Sequence, residues 1–390
     1  MKLLVVIDNM QTGGIASSLY NFLEFLDYEK IECDLCVFNH NGISQSKIPA
    51  NVNLIKFNDS LSLLGLSQSE VKKQSSLLAF KRLLLVLVSR LCSGNTARKL
   101  LFRGINFEEK SYDLALAYSH DLSANSFTPG CRQFISEKIN ATKKAVYIHC
   151  DYKNYGGYSK KQLKDYNAMD FILCVSDGCK KSFLECFQQL KVPVYIQENF
   201  TNQNDIIKMA SKSITYDERM TFVSVCRLSK EKGIERCLNV FYKIREELGN
   251  AFEWVIVGDG SRKNAILNQI KKYGLEENVK LVGKKDNPYV YMKNANYFLL
   301  PSIHEAAPMV YAESATLGVP VITTRTTSAE ELVAKKRIGF VCENSEDGLL
   351  NILRNVIIYP DSYKLERDMQ YAANINAAKQ LDNWLHILEK

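Results

Sequence analysis

Short apolar runs rich in Val, Ile, Leu and Phe alternate along this chain with longer stretches whose apolar residues recur every three or four positions. The runs at 3–7, 34–38, 54–57, 113–118, 145–149, 171–175 and 194–196 predict strands. So do those at 221–226, 253–257, 279–282, 297–300, 319–323 and 340–342. Helical periodicity fills many of the intervals, as at 15–26, 233–248, 262–273 and 309–317. This alternation predicts an α/β chain with parallel sheets covered by helices. Thirteen strands are too many for one ordinary sheet, so two doubly wound halves are expected. The polar interval 198–217 divides them, giving a first domain over 1–197, a linker over 198–217 and a second domain over 218–361. The tail, 362–390, is polar but helical in period. Its late apolar positions Trp384, Leu385 and Leu388 suit packing back onto the first domain.

Composition adds limits. Of 390 residues, 46% are hydrophobic and 24% charged, a mix that excludes disordered and collagen-like chains. The longest apolar run, 83–88, is far short of a membrane span and is flanked by Lys81, Arg82 and Arg90. The opening MKLLVVIDNM is too short for a secretory signal. Eleven scattered cysteines, an odd number without framework spacing, point to a reduced, cytoplasmic protein. Cys33-x-x-Cys36 lacks a second pair and sits in a strand, so packing is favoured over metal binding. The net charge is +7, and residues 72–110 alone hold nine Lys/Arg against two Glu, an excess of the same size. A basic excess confined to a leucine-rich segment suits an anionic membrane surface better than nucleic acid. An ordinary helical pair, apolar inside and basic outside, is the alternative.

Three constellations fall just after predicted strands, where parallel sheets bind ligands. Gly13-Gly14 follows 3–7 and opens a helix, which permits close backbone approach and an anion at the helix start, or simply a tight turn. Neither this pair nor Gly258-Asp259-Gly260 completes the GxGxxG dinucleotide pattern, which argues against a dehydrogenase. Arg227 and Lys232, followed by Gly233, come after 221–226; two cations there suit a diphosphate, although a solvated basic loop has the same appearance. Glu305 and Glu313 flank a helix start marked by Pro308, where the backbone N–H groups of Ala307, Met309 and Val310 point at whatever binds there. Carboxylates so placed accept hydrogen bonds from sugar hydroxyls, and the helix start favours phosphate. No two aspartates lie two positions apart, so the Asp-x-Asp metal signature is absent and no metal or other cofactor is expected.

The Gly13-Gly14 loop, Arg227 with Lys232, and Glu305-x7-Glu313 followed by Gly318-Val-Pro-Val together resemble retaining glycosyltransferases of family four. The stretches 326–331 and 339–348 are similar to bacterial capsular and cell-surface polysaccharide enzymes. The resemblance implies the GT-B fold, with two Rossmann-like domains facing a central cleft, the first binding acceptor and the second the nucleotide-sugar. It implies that Arg227 and Lys232 neutralise the donor diphosphate, that Glu313 binds the ribose and Glu305 the donor sugar. Gly13, Gly14, Ala306, Ala307, Met309 and Val310 would complete the donor site, with Gly283 and Lys284 bordering the base. His149 matches the family's active-site histidine, so His149, Arg227, Lys232 and Glu305 are the catalytic candidates. His304 is a possible pocket wall, and His40, His120 and His386 are set aside. Ala306-Ala307 departs from the family's usual Gly and bulky apolar residue, which leaves the donor sugar open. The implied partners are a nucleotide-sugar, a glycan or lipid-linked acceptor and an anionic membrane at the inner face of the cell, with no nucleic acid. A sugar-nucleotide epimerase and a non-catalytic nucleotide-sugar-binding subunit are the competing readings.

Overall fold

The computed structural model describes all residues except 12, 42, 56–59, 106, 108, 109, 122, 124, 156–158, 213, 366–382, 385 and 390, and the side chains of 155 and 161. The expectations for Phe57, Leu385 and most of the tail therefore lie outside the described residues. The chain forms two compact units, Met1–Phe200 with Asn383–Lys390, and Thr201–Asp382.

The first unit holds β1 (Lys2–Asn9), β2 (Glu32–Asn39), β3 (Val52–Ile55), β4 (Ser111–Ala117), β5 (Asn140–Ile148), β6 (Phe171–Cys174) and β7 (Val194–Ile196). They pair in the order β3-β2-β1-β4-β5-β6-β7, every pair parallel. Strands buried on both faces need side chains that are apolar throughout, and Leu3 to Ile7 of β1 are all buried. β5 starts at Asn140, earlier than its apolar run, because Lys143 and Lys144 are half-buried yet pair in register with Leu114 and Ala115. Cys33 and Cys36 are buried in β2, and burial pushes the Cys33 thiol up to about 12, so this pair packs as small hydrophobes. The helix Gly14–Phe25 buries Ala16, Leu19, Phe22 and Leu23. Trp384 stands edge-on to Phe22 at 5.0 Å, and Asn383 donates to the Ile196 carbonyl at 2.7 Å, which ties the end of the chain to this unit.

The second unit holds β8 (Met220–Val225), β9 (Phe252–Val257), β10 (Val279–Gly283), β11 (Tyr297–Leu300), β12 (Val321–Thr324) and β13 (Gly339–Cys342). Their order, β10-β9-β8-β11-β12-β13, is that of a doubly wound sheet with its switch point between β8 and β11. Alternate residues face opposite layers. Phe222, Trp254, Leu299 and Ile322 pack under the helices Ile234–Leu248 and Glu346–Ile358, while Val223, Val255, Phe298 and Val321 meet Met292, Tyr311 and Ala315. Each such fully buried side chain stabilises the fold by about 1.5–3 kcal/mol. The unit boundary falls at Phe200, within the interval read as linker. That interval carries a helix, Gln203–Met209, capped by the Asn202 side chain accepting from the Asp205 amide at 3.1 Å.

Candidate functional site

In the second unit, the loops leaving β8, β9 and β11 are locked together by glycines. Gly233 has φ 67°, and a Cβ there would overlap the Pro301 carbonyl oxygen. A Cβ on Gly258 or Gly260 would overlap the carbonyl oxygens of Cys226 or Leu228. The Gly-Asp-Gly turn therefore serves to seat the Arg227 loop against its neighbour. The Ile303 amide donates to the Glu231 carbonyl at 2.7 Å, and Arg236 donates to that of Pro301 at 2.9 Å.

This packing brings Lys232 to Glu305, with Nζ donating to Oε1 at 2.5 Å. Burial works against the ammonium charge, but Glu305 outweighs it and holds Lys232 above its usual value. Ser302 donates to the same carboxylate at 2.7 Å, so Glu305 is fixed from two sides. The helix Met309–Thr316 starts just beyond, with Pro308 as its N-cap, one position ahead of the first turn where the sequence suggested it. Glu313 is buried on that helix. Burial pushes its carboxyl up to about 7, against a hydrogen bond from the Tyr289 hydroxyl. Arg227 is exposed at the end of β8. Ala306 and Met309 are buried, Ala307 and Val310 half-buried, and Lys284 is exposed beyond Gly283, which ends β10 at φ 77°. His304 is exposed beside Glu305.

The strand ends of the first unit are different in kind. Gly13 is the N-cap of Gly14–Phe25, and a Cβ there would meet nothing. His149 lies one residue past β5, with Tyr147 and Tyr118 ring centroids at 4.3 and 5.0 Å. Its Nε2 is buried without a hydrogen-bond partner among the described residues, and burial, followed by the nearby His120, holds its pKa well below the usual value. The imidazole is therefore neutral at pH 7. His120, set aside on sequence grounds, lies against it, its Nδ1 accepting from the His149 amide at 3.4 Å. Asp8, at the end of β1, accepts from Ser119 at 2.5 Å and from Asn9 at 2.6 Å. Burial raises this carboxyl. His120, Asp8 and Tyr289 carry no local motif. Only their positions past β4, at the end of β1, or beside a helix distant in sequence bring them in. Among the described residues no group of three or more His, Cys, Asp or Glu is arranged to hold a metal ion.

Residues 205–374 match the family of glycosyl transferases group 1. Over 194 residues the chain is 27% identical to the N-acetylgalactosamine-N,N'-diacetylbacillosaminyl-diphospho-undecaprenol 4-alpha-N-acetylgalactosaminyltransferase of Campylobacter jejuni, covering 49% of this chain and 52% of that one. It is 28% identical over 244 residues to the amylovoran biosynthesis glycosyltransferase AmsD of Erwinia amylovora, covering 60% and 66%. The chain thus spans about half the length of the curated relatives it matches. Among solved structures, Anabaena Alr3699/HepE in complex with UDP superposes with a TM-score of 0.66 at 17% identity, covering 100% of both chains. The chain therefore has the GT-B glycosyltransferase fold, and its residues 205–374 are similar to the glycosyl transferases group 1 family.

Proposed function

We propose that this protein is a metal-independent, retaining glycosyltransferase of the hexosyl type. It moves a sugar from a nucleotide-sugar, most simply a UDP-sugar, to a glycan or lipid-linked acceptor in capsule or other cell-surface polysaccharide synthesis. One observation carries the reading. At the β8–β11 switch point a cation, two carboxylates and a helix start converge, with Lys232 and Glu305 2.5 Å apart.

Breaking a sugar–phosphate bond develops negative charge on the leaving diphosphate, and preorganised cations stabilise that charge without reorganising. Lys232 has three N–H donors and gives one to Glu305, so two remain for phosphate oxygens. Arg227 supplies a second cation, and the amides of Ala307, Met309 and Val310 supply the helix start. Glu313, once ionised, accepts from the ribose hydroxyls, and Glu305 accepts from the donor sugar. Gly283 and Lys284 border the base. In the first unit, Gly13 and Gly14 offer backbone amides to the phosphates, and the neutral ring of His149 contacts the transferring sugar. The acceptor oxygen bonds to the anomeric carbon as the bond to the diphosphate breaks. The departing phosphate oxygen takes the acceptor's proton from the same face, so configuration is retained. No carboxylate is assigned as nucleophile, because Glu305 is held by Lys232 and Ser302.

The Anabaena structure is a complex with UDP, which supports a nucleotide-sugar donor. The Campylobacter relative, whose name includes a diphospho-undecaprenol carrier, supports a lipid-linked acceptor and hence work at the inner face of a membrane. The test is a donor-hydrolysis screen over a panel of nucleotide-sugars, with and without lipid-linked acceptors. One donor is expected to turn over slowly alone and faster with acceptor, giving a product of retained configuration. Epimerised donor without transfer, or binding without turnover on every donor, contradicts the reading.

A further inference from the structure

The helix Ser76–Leu91 is covered on one side only. Ala79, Leu85 and Ser89 are buried. Arg82 also turns inward, donating to the Leu63 carbonyl at 3.2 Å and to Gln68 at 3.0 Å. On the other side Leu77 is 77% exposed, Phe80 59% and Leu91 84%, and Leu83, Leu84 and Leu87 are exposed between them. At 3.6 residues per turn these six side chains share an arc of about 120°. Exposed Lys81 borders that arc on one edge and exposed Arg90 on the other. The following helix, Gly94–Phe102, extends the surface with exposed Lys99 and Leu100, and exposed Arg103 comes next. No acidic residue occurs between Glu70 and Glu108. Three of the segment's nine cations are engaged with the protein itself. Arg82 faces the protein, and Arg98 is buried 3.6 Å from Asp121 with its Nε on Gln133. Lys110 is paired with Asp34 at 3.4 Å.

Leu77, Phe80, Leu84, Leu87 and Leu91 follow the alternating three-and-four spacing of a coiled-coil seam, so a second copy of this chain has to be weighed as the occupant. The flanks decide against it. A seam sets the flanking residues of two helices across from each other; here the charged flanking residues, Lys81 and Arg90, are both cations beside uncharged Ser76, Leu83 and Val88, and no acidic residue is there to pair with them in a second copy. Anionic headgroups are the complementary partner, with the leucines and Phe80 among the upper acyl chains.

We infer that this leucine face inserts into the interface of an anionic bilayer, with Lys81, Arg90, Lys99 and Arg103 on the headgroups. The inference deepens the proposed transfer to a lipid-linked acceptor and rests on that reading for the reason a bilayer is met. Vesicle binding is measured with no donor or acceptor, so failure of one leaves the other standing. The full chain is co-sedimented with phosphatidylcholine vesicles with and without phosphatidylglycerol. Binding is expected only with phosphatidylglycerol and is expected to fall as NaCl rises. Replacing Lys81, Arg90, Lys99 and Arg103 with Gln should weaken it on the order of 10²-fold or more, each surface cation being worth about fivefold. Leu84→Glu with Leu87→Glu should abolish it, leaving the circular dichroism spectrum and the affinity for bare UDP unchanged. Equal binding to both vesicle types, or to neither, overturns the inference. So does a dimer in sedimentation velocity that the Leu84→Glu, Leu87→Glu variant dissolves.

Discussion

The two sheets have their switch points at equivalent places, between β1 and β4 in one and between β8 and β11 in the other, yet the side chains collected there differ in kind. The β8–β11 edge carries Arg227, an ion pair between Lys232 and Glu305, and the buried carboxyl of Glu313. The β1–β4 edge carries glycines, buried His120 and half-buried His149 with their pKa values lowered by burial, and the hydrogen-bonded Asp8. Topology fixes where a ligand can sit. The charges decide what each edge can offer a ligand: cations that suit an anion at the β8–β11 edge, neutral hydrogen-bonding groups at the β1–β4 edge.

That division can be broken by substitution. The largest effect is expected at the cations: Lys232→Met or Arg227→Ala should lower donor turnover, as kcat/KM, by on the order of 10²-fold or more. Arg227 is exposed, so its variant should keep the wild-type circular dichroism and Tm. Lys232→Met strands Glu305, and the companion Glu305→Gln should recover Tm without recovering turnover. Next in size is His149→Ala, which should cut transfer by roughly 10²-fold while sparing affinity for the bare nucleotide.

Glu313→Gln sharpens the comparison through pH. The Glu313 carboxyl, raised from 4.5 to about 7, keeps a proton in the folded state that the unfolded chain has lost, so it withdraws stability as pH rises between those values. The Gln variant should therefore be more stable than wild type at pH 8, by about 1–3 kcal/mol, and equal to it near pH 4. Nucleotide binding runs the other way. An ionised carboxylate is the better acceptor for ribose hydroxyls, so wild-type affinity should climb as pH rises through about 7. The Gln variant should bind about tenfold more weakly at pH 8 and lose that part of the pH profile. The smallest effect is expected from chelation: turnover should survive excess EDTA. Loss with EDTA and rescue by Mn²⁺ would mean that the diphosphate is held by something other than Arg227 and Lys232.

Much of this architecture is legible in the sequence because strands buried on both faces must be apolar along their length. Among the described residues every expected run holds a strand, down to the three residues of β7. The linker interval concealed the helix Gln203–Met209 because its residues are mostly polar and only Ile206 is buried. Motif residues such as Lys232 and Glu305 are legible because each lies in the loop that leaves a strand. Their contact is not, since it depends on a left-handed Gly233 packed on Pro301. Tyr289 escapes for a similar reason: its partner Glu313 lies on another element, distant in sequence. The basic excess of 72–110 is visible in composition, but which cations reach the surface is not. Arg82 and Arg98 turn inward because Leu63, Gln68, Asp121 and Gln133 are there to receive them.

The assignment of the diphosphate to the second unit is tested most directly by calorimetric titration of bare UDP, in EDTA, into four proteins: wild type, Arg227→Ala, Lys232→Met and His149→Ala. Binding is predicted to wild type and to His149→Ala with equal affinity, and to be weakened by roughly 10²-fold in each cation variant. Unchanged affinity in both cation variants, or its loss in His149→Ala alone, would contradict the account.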